Sequence, residues 1–173
     1  MKYEVSKALE ILVRTPEVLR QQLSGLSDEW LDANEGEGTW SPFQVVGHLI
    51  INEETNFMSR ASLILNNNDG KTLEPIDMTS HMKTFDGRSI DSLLSVFAEL
   101  RNKNVLQLKD LDLLPEHLAK TALHPKLGEV RLSHILSAWV AHDLVHLGQI
   151  TRVMAKQYKE EIGPFIGYLT RLR

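Results

Sequence analysis

At 173 residues, with 42% apolar and 24% charged residues, the chain has the size and composition of one globular domain able to bury its own core. A formal net charge of -4 with no basic run offers no electrostatic basis for nucleic-acid binding. The absence of cysteine excludes disulfides and thiolate metal sites, so any thiol chemistry must take its sulfur from a small molecule.

The first 24 residues read as helix, with Leu9, Leu12, Val13, Leu19 and Leu23 as the apolar positions. Thr15-Pro16 predicts a kink or a restart, with Thr15 as the N-cap. Several charges and no long apolar run mean that no signal peptide is expected here. Gly25 stops the helix, and a polar connection runs to Trp40. Ser41-Pro42-Phe43-Gln44 then gives a strong start: a capping serine, proline in the first turn, and glutamine three residues after the cap. The pattern through Val45, Val46, Leu49, Ile50, Phe57, Ala61, Ile64 and Leu65 predicts a second helix of about 25 residues, or about 37 Å. NNNDG, residues 66 to 70, reads as its stop and turn.

A loop is expected from Lys71 to Arg88. Ser89 caps a third helix through Leu93, Leu94, Phe97, Leu100, Val105 and Leu108. Residues 110 to 130 read as irregular, with HPKLGEV at 124 to 130 as a turn. The last long helix is expected from Arg131 to Lys159, ended by Gly163-Pro164. Strand signals are nearly absent, and no internal repeat is visible. The expected architecture is therefore all-α: a single-domain four-helix bundle over residues 1–173 with long second and last helices. No apolar stretch approaches the roughly 18 residues needed to span a bilayer, and a cytoplasmic location is the default.

The last helix carries AHDLVHLGQI, residues 141 to 150. His142 and His146 lie four apart, about 40° from each other on one helix face. Ile135, Ala138, Trp139, Gln149 and Val153 share that largely apolar face. Such a pair also arises by chance in a chain with seven histidines, and taken alone it is weak evidence. His48 strengthens it. It lies on the second helix in a strip with Gln44, Ile51, Asn52 and Thr55, more polar than the neighbouring apolar stripe. Three neutral imidazoles from facing helices suit Zn²⁺ or Ni²⁺ and leave a coordination position open, as in catalytic sites. Asp143 is too short and too far around the helix to act as the base of a zinc protease. It is expected to orient a ligating imidazole or to sit on the surface. Without any Glu-x-x-His, a di-iron carboxylate site is not expected.

WSPFQVVGHLIINEET at 40–55, HPKLGEVRLSHILSAWVAHDLVHLGQITRVMAKQY at 124–158 and the closing GPFIGYL at 163–169 resemble the DinB-like family of damage-inducible four-helix bundles. The resemblance spans nearly the whole chain. It implies a divalent metal held by His48, His142 and His146, a homodimer, and kinship with thiol-dependent enzymes such as the bacillithiol transferases. Some members of that family carry the label of metal-dependent hydrolases.

Three functions follow as expectations. The first is a thiol-dependent S-transferase that uses the ion to activate a low-molecular-weight thiol against a small electrophile. The second is a metal-dependent hydrolase, for which Asp143, Glu53 and Glu54 are the only nearby acids. The third is a metal-stabilised or small-molecule-binding bundle without a reaction. Trp40, Asn52, Trp139 and Gln149 are candidates for the pocket wall or for holding the ligands, although core packing is the commoner fate of both tryptophans. Glu53 and Glu54 are expected to be solvated. His81, His117 and His124 are placed in loops or turns with solvated or capping roles, and His134 is about 12 Å along the axis from His142.

Overall fold

The computed structural model describes residues 2–66, 71–77, 79 and 81–169. The first helical region is split into α1, Val5–Leu12, and α2, Thr15–Leu23. A single turn, α3, Asp28–Leu31, follows. The second region holds α4, Pro42–Thr55, and α5, Phe57–Asn66. Beyond it come the short α6, His81–Thr84, the long α7, Ile90–Asp110, and the short α8, Pro115–Ala119. Two four-residue strands, β1, Thr121–His124, and β2, Gly128–Arg131, precede α9, Leu132–Lys156. A 3-10 turn, Gly163–Gly167, closes the described chain. No described helix is long and apolar enough to cross a membrane.

The result is a four-helix bundle in one domain, and three local expectations need correction. Thr15 is not a cap but the first residue of α2. Its hydroxyl donates to Asp143 Oδ2 at 2.6 Å, 128 residues away. The second helix is not continuous: Asn56, at φ -107 and ψ -92, divides it. Asparagine competes for local hydrogen bonds, and Asn56 donates to Asn52 Oδ1 at 2.7 Å. The NNNDG stop lies largely outside the described residues, and α5 ends at Asn66. Residues 121–131 form an antiparallel hairpin rather than an irregular stretch, pairing Thr121 with Arg131 and Ala122 with Val130. Ala122 and Val130 are its buried positions, one per strand, too short an alternation to register as a strand pattern. The hairpin also holds the chain after α5, because Leu73 N–H donates to Leu123 O at 2.8 Å.

Other signals translate directly. Ser41 Oγ accepts from Gln44 N–H, and Gln44 Oε1 accepts from Ser41 N–H at 3.0 Å, which completes the capping box of α4. Ser89 Oγ accepts from Ser92 N–H at the start of α7. Pro16 and Pro42 occupy first turns, where a missing N–H costs nothing.

The apolar interior forms two clusters. One gathers Leu12, Phe57, Ala61, Leu108, Leu136 and Trp139. The other gathers Leu19, Val46, Leu49, Leu94, Phe97 and Ile150. Between them lies a buried charge cluster built on Arg101 of α7, which is 0% exposed. Its guanidinium donates to both oxygens of Asp143 on α9, to Glu53 Oε1 on α4 at 2.8 Å, and to the carbonyl of Leu12 at the end of α1 at 3.0 Å. The same cation stands 4.8 Å from the Phe97 ring centroid and 5.1 Å from that of Trp139, one ring from each cluster. Glu53 is completed by the Trp139 indole N–H at 2.8 Å and the Asn104 amide at 2.9 Å. Burial works to lower the Arg101 pKa, but Asp143 and Glu53 together lift it above its ordinary value. A buried cation held through its two terminal nitrogens by two carboxylates and a carbonyl, and flanked by two aromatic faces, ties four helices to one atom group, while its Nε has no hydrogen-bond partner among the described residues.

Replacing Arg101 with methionine would leave Glu53 and Asp143 buried without a countercharge. The Arg101→Met protein should lose about 3–5 kcal/mol of stability, read from urea unfolding midpoints. A loss under about 1 kcal/mol would show that these carboxylates are not held as ions by Arg101.

Candidate metal centre

The three histidines singled out in the sequence come together. His48 of α4 and His142 and His146 of α9 each offer a ring nitrogen, and these atoms all lie within 4.8 Å of one another. His48 Nε2 and His142 Nε2 are 3.1 Å apart. Two nitrogens bound at about 2.1 Å to one ion are separated by about 3.0 Å at a right angle and about 3.4 Å at a tetrahedral one, so this spacing falls within the range a shared cation would set. The rings of His142 and His146 meet edge to face at a centroid distance of 4.3 Å. His48 is 2% exposed and His146 9%, while His142 is half-buried.

Burial dominates the electrostatics. It pushes the His48 and His142 pKa values from the ordinary 6.5 down to about 3, and the neighbouring imidazoles add to the effect. His146 is also lowered by burial, against the opposing influence of Gln149 and Asp143. All three rings are therefore neutral near pH 7, the form in which imidazole binds a metal. His146 Nδ1 lies 2.8 Å from Gln149 Oε1, a carbonyl oxygen that can only accept. Nδ1 therefore carries the proton and Nε2 keeps its lone pair free, the arrangement that orients ligating histidines. His142 Nδ1 is buried with no partner among the described residues. The donor set fits a divalent cation.

The surrounding candidates divide. Trp40, half-buried, lies over the cluster with ring centroids 4.7 Å from His48 and 6.2 Å from His146. The capping box at Ser41 fixes the chain just after it. Asn52 Nδ2 is 3.1 Å from His48 Nε2 and donates to the His48 carbonyl at 2.8 Å. Gln149 holds His146 as described. Trp139 belongs instead to the core: it is 0% exposed, stacks on Phe57 and gives its N–H to Glu53. Phe57 in turn meets the edge of His142 at 5.2 Å. Asp143 does not orient an imidazole through a hydrogen bond. Both its oxygens face Arg101, and Thr15 takes a further contact. Glu53 is not solvated but 4% exposed, also on Arg101, whereas Glu54 is exposed. Neither buried acid is free to take a proton at the cluster.

The other histidines also separate. His117, His124 and His134 each accept a backbone N–H through Nδ1, from Leu114, Lys126 and Arg131, at 3.1 to 3.3 Å. His81 departs from its expected solvated role: it is 3% exposed and packs against Trp40 and His48. The signal for it was Gly47. A glycine inside a helix marks a close approach, and a Cβ there would come within 2.9 Å of Phe85 and 3.7 Å of His81.

A bundle whose facing helices converge three imidazoles defines a class of metal-site protein. The chain belongs to the DinB superfamily, whose family model matches residues 11–150. It is similar to a protein of Oceanobacillus iheyensis, provisionally named a metal-dependent hydrolase, at 24% identity over 143 residues, covering 82% of this chain and 81% of the relative. YfiT of Bacillus subtilis bears the same provisional name and is 24% identical over 155 residues, covering 88% and 85%. A Bacillus cereus protein of that name is 28% identical over 137 residues, covering 79% and 77%. Among solved structures, that of YfiT, described as having an unusual four-helix bundle topology, aligns with a TM-score of 0.75 at 22% identity over 90% of this chain and 94% of that one. The four-helix bundle protein TT2238 aligns at 0.59 with 20% identity, over 86% and 98%. These structural likenesses establish the fold.

The depressed histidine pKa values have a consequence for the metal-free protein. Between pH 6.5 and about 3 the unfolded chain binds protons that His48 and His142 refuse in the fold. Stability is therefore fully present above pH 6.5 and declines as pH falls towards 3. Thermal melts of metal-free protein should show a falling Tm between pH 7 and pH 5, and the fall should shrink in a His48→Gln variant. A wild-type Tm that rises on acidification would contradict the burial of neutral rings.

Proposed function

We propose that this protein is a divalent-metal-dependent enzyme whose ion is held by His48, His142 and His146, and that it transfers a low-molecular-weight thiol to a small electrophilic substrate. The observation that carries the reading is the commitment of both nearby buried carboxylates. Glu53 and Asp143 are bound to Arg101, so neither of these buried carboxylates is free to act as a base beside the three neutral imidazoles. A nucleophile used here must lose its proton without help from either of these carboxylates. A thiol, with a pKa of about 8.5, asks for less than water does.

Bound at the three rings, a divalent cation would lower the pKa of a coordinated thiol so that thiolate forms near neutrality. The residues of the chain supply the rest. Gln149 fixes the His146 tautomer, and Asn52 stands beside the His48 ring. Trp40 covers one side of the cluster and limits water around it. The absence of cysteine is consistent with a thiol that comes from outside. As in the resemblance noted from the sequence, bacillithiol-type thiols are the natural candidates. Homodimerisation also remains a proposal, testable by light scattering.

A second reading, hydrolysis, keeps the same three histidines and uses water as the nucleophile. The provisional names of the Bacillus and Oceanobacillus relatives favour it.

Calorimetric titration of zinc-loaded protein with cysteine, bacillithiol and coenzyme A should show one of them binding at micromolar to millimolar concentration. Binding should be lost in His146→Ala protein, whose metal content should fall by tenfold or more. No binding by any thiol at millimolar concentration, with p-nitrophenyl ester hydrolysis that depends on His146, would replace the transferase reading by the hydrolase.

A further inference from the structure

One buried imidazole is not explained by the three-histidine cluster. His81 is 3% exposed, yet neither ring nitrogen has a hydrogen-bond partner among the described residues. Burying a polar group without a partner is costly and uncommon, so such a group calls for a cause. His81 is also held in place by the fold. Gly47, one residue before His48, lets the α6 segment lie directly on α4, with Phe85 at a distance no side chain at 47 would allow. The His81 ring is thereby set edge-on to Trp40 at 4.5 Å and to His48 at 5.3 Å between centroids. Its nitrogens are nevertheless not members of the set within 4.8 Å that the other three form. His81 also lines a cavity of about 650 Å³ shared with Ser41, Gln44, Asp86 and Arg88, at the N-terminal ends of α4 and α7.

The ring is thus a neighbour of the cluster rather than a fourth member, polar, buried and unpaired. We propose that His81 is a substrate-contacting residue that hydrogen-bonds the small molecule sharing the cation with His48, His142 and His146. It selects ligands that carry a hydrogen-bonding group at or beside the coordinating atom, and it disfavours purely apolar ones. The proposal rests on the reading of the three histidines as a metal site, but not on whether the reaction is transfer or hydrolysis.

The test uses cobalt-substituted full-length protein titrated with azide, followed through the visible absorption of Co²⁺. Azide coordinates through nitrogen and accepts hydrogen bonds. In His81→Phe protein the affinity for Co²⁺ should stay within about threefold of wild type, while azide binding should weaken by about tenfold, the worth of one hydrogen bond. His81→Gln, which restores a donor, should recover part of that loss. Should His81→Phe fail to fold by circular dichroism, weaker azide binding by folded His81→Leu protein gives the same support, and wild-type binding by it the same refutation. Unchanged azide affinity in His81→Phe would overturn the proposal and leave the metal site intact. A drop of tenfold or more in Co²⁺ affinity would also overturn it, by making His81 a ligand. Failure of wild-type protein to bind Co²⁺ would remove the metal site itself and this proposal with it.

Discussion

The Arg101 guanidinium is the constraint on which the rest of the structure depends. It is a rigid planar fork, and its partners come from the end of α1, from α4 and from α9. Each partner fixes the rotation of its helix about its own axis. Glu53 can reach Arg101 only if α4 turns that face inward, and His48, five residues earlier, is then fixed in direction. Asp143 does the same for α9, and it stands next to His142 in the chain. The direct bond from Trp139 to Glu53 links the two helices without Arg101. The imidazoles face one another because the charged layer beside them leaves α4 and α9 no other phase.

This layer also explains why the polar groups lie where they do. Two apolar clusters could slide past one another, since dispersion and burial have little directional preference. A hydrogen-bonded ion cluster between them does, and Phe97 and Trp139 close over its cation from either side. Buried ion pairs are seldom a net source of stability when compared with apolar replacements. Their contribution here is to register, and the histidine cluster is the part of the molecule that needs register most.

The same arrangement shapes the chemistry. Acids placed one residue from Asn52 and from His142 look, in the sequence, like candidate bases. In the fold they are spent on Arg101, and the cluster is left with its three imidazoles, two amide side chains, an indole and the neighbouring His81 ring. A site of that composition can bind and orient a ligand without a carboxylate from Glu53 or Asp143.

The sequence by itself determined the helices α7 and α9, the Ser41 capping box and the shared face of His142 and His146. These are encoded by local rules: side-chain caps, a period of 3.6 residues, and imidazoles one turn apart on a face that must be buried. Only the tertiary structure decided the destinations of Glu53, Asp143 and Trp139, the burial of His81, the break at Asn56 and the hairpin at 121–131. Those outcomes depend on partners distant in the chain: Arg101 lies 48 residues from Glu53 and 42 from Asp143. A charged residue on a helix carries no local sign of whether water or a buried countercharge will receive it, because that choice is made when the helices pack.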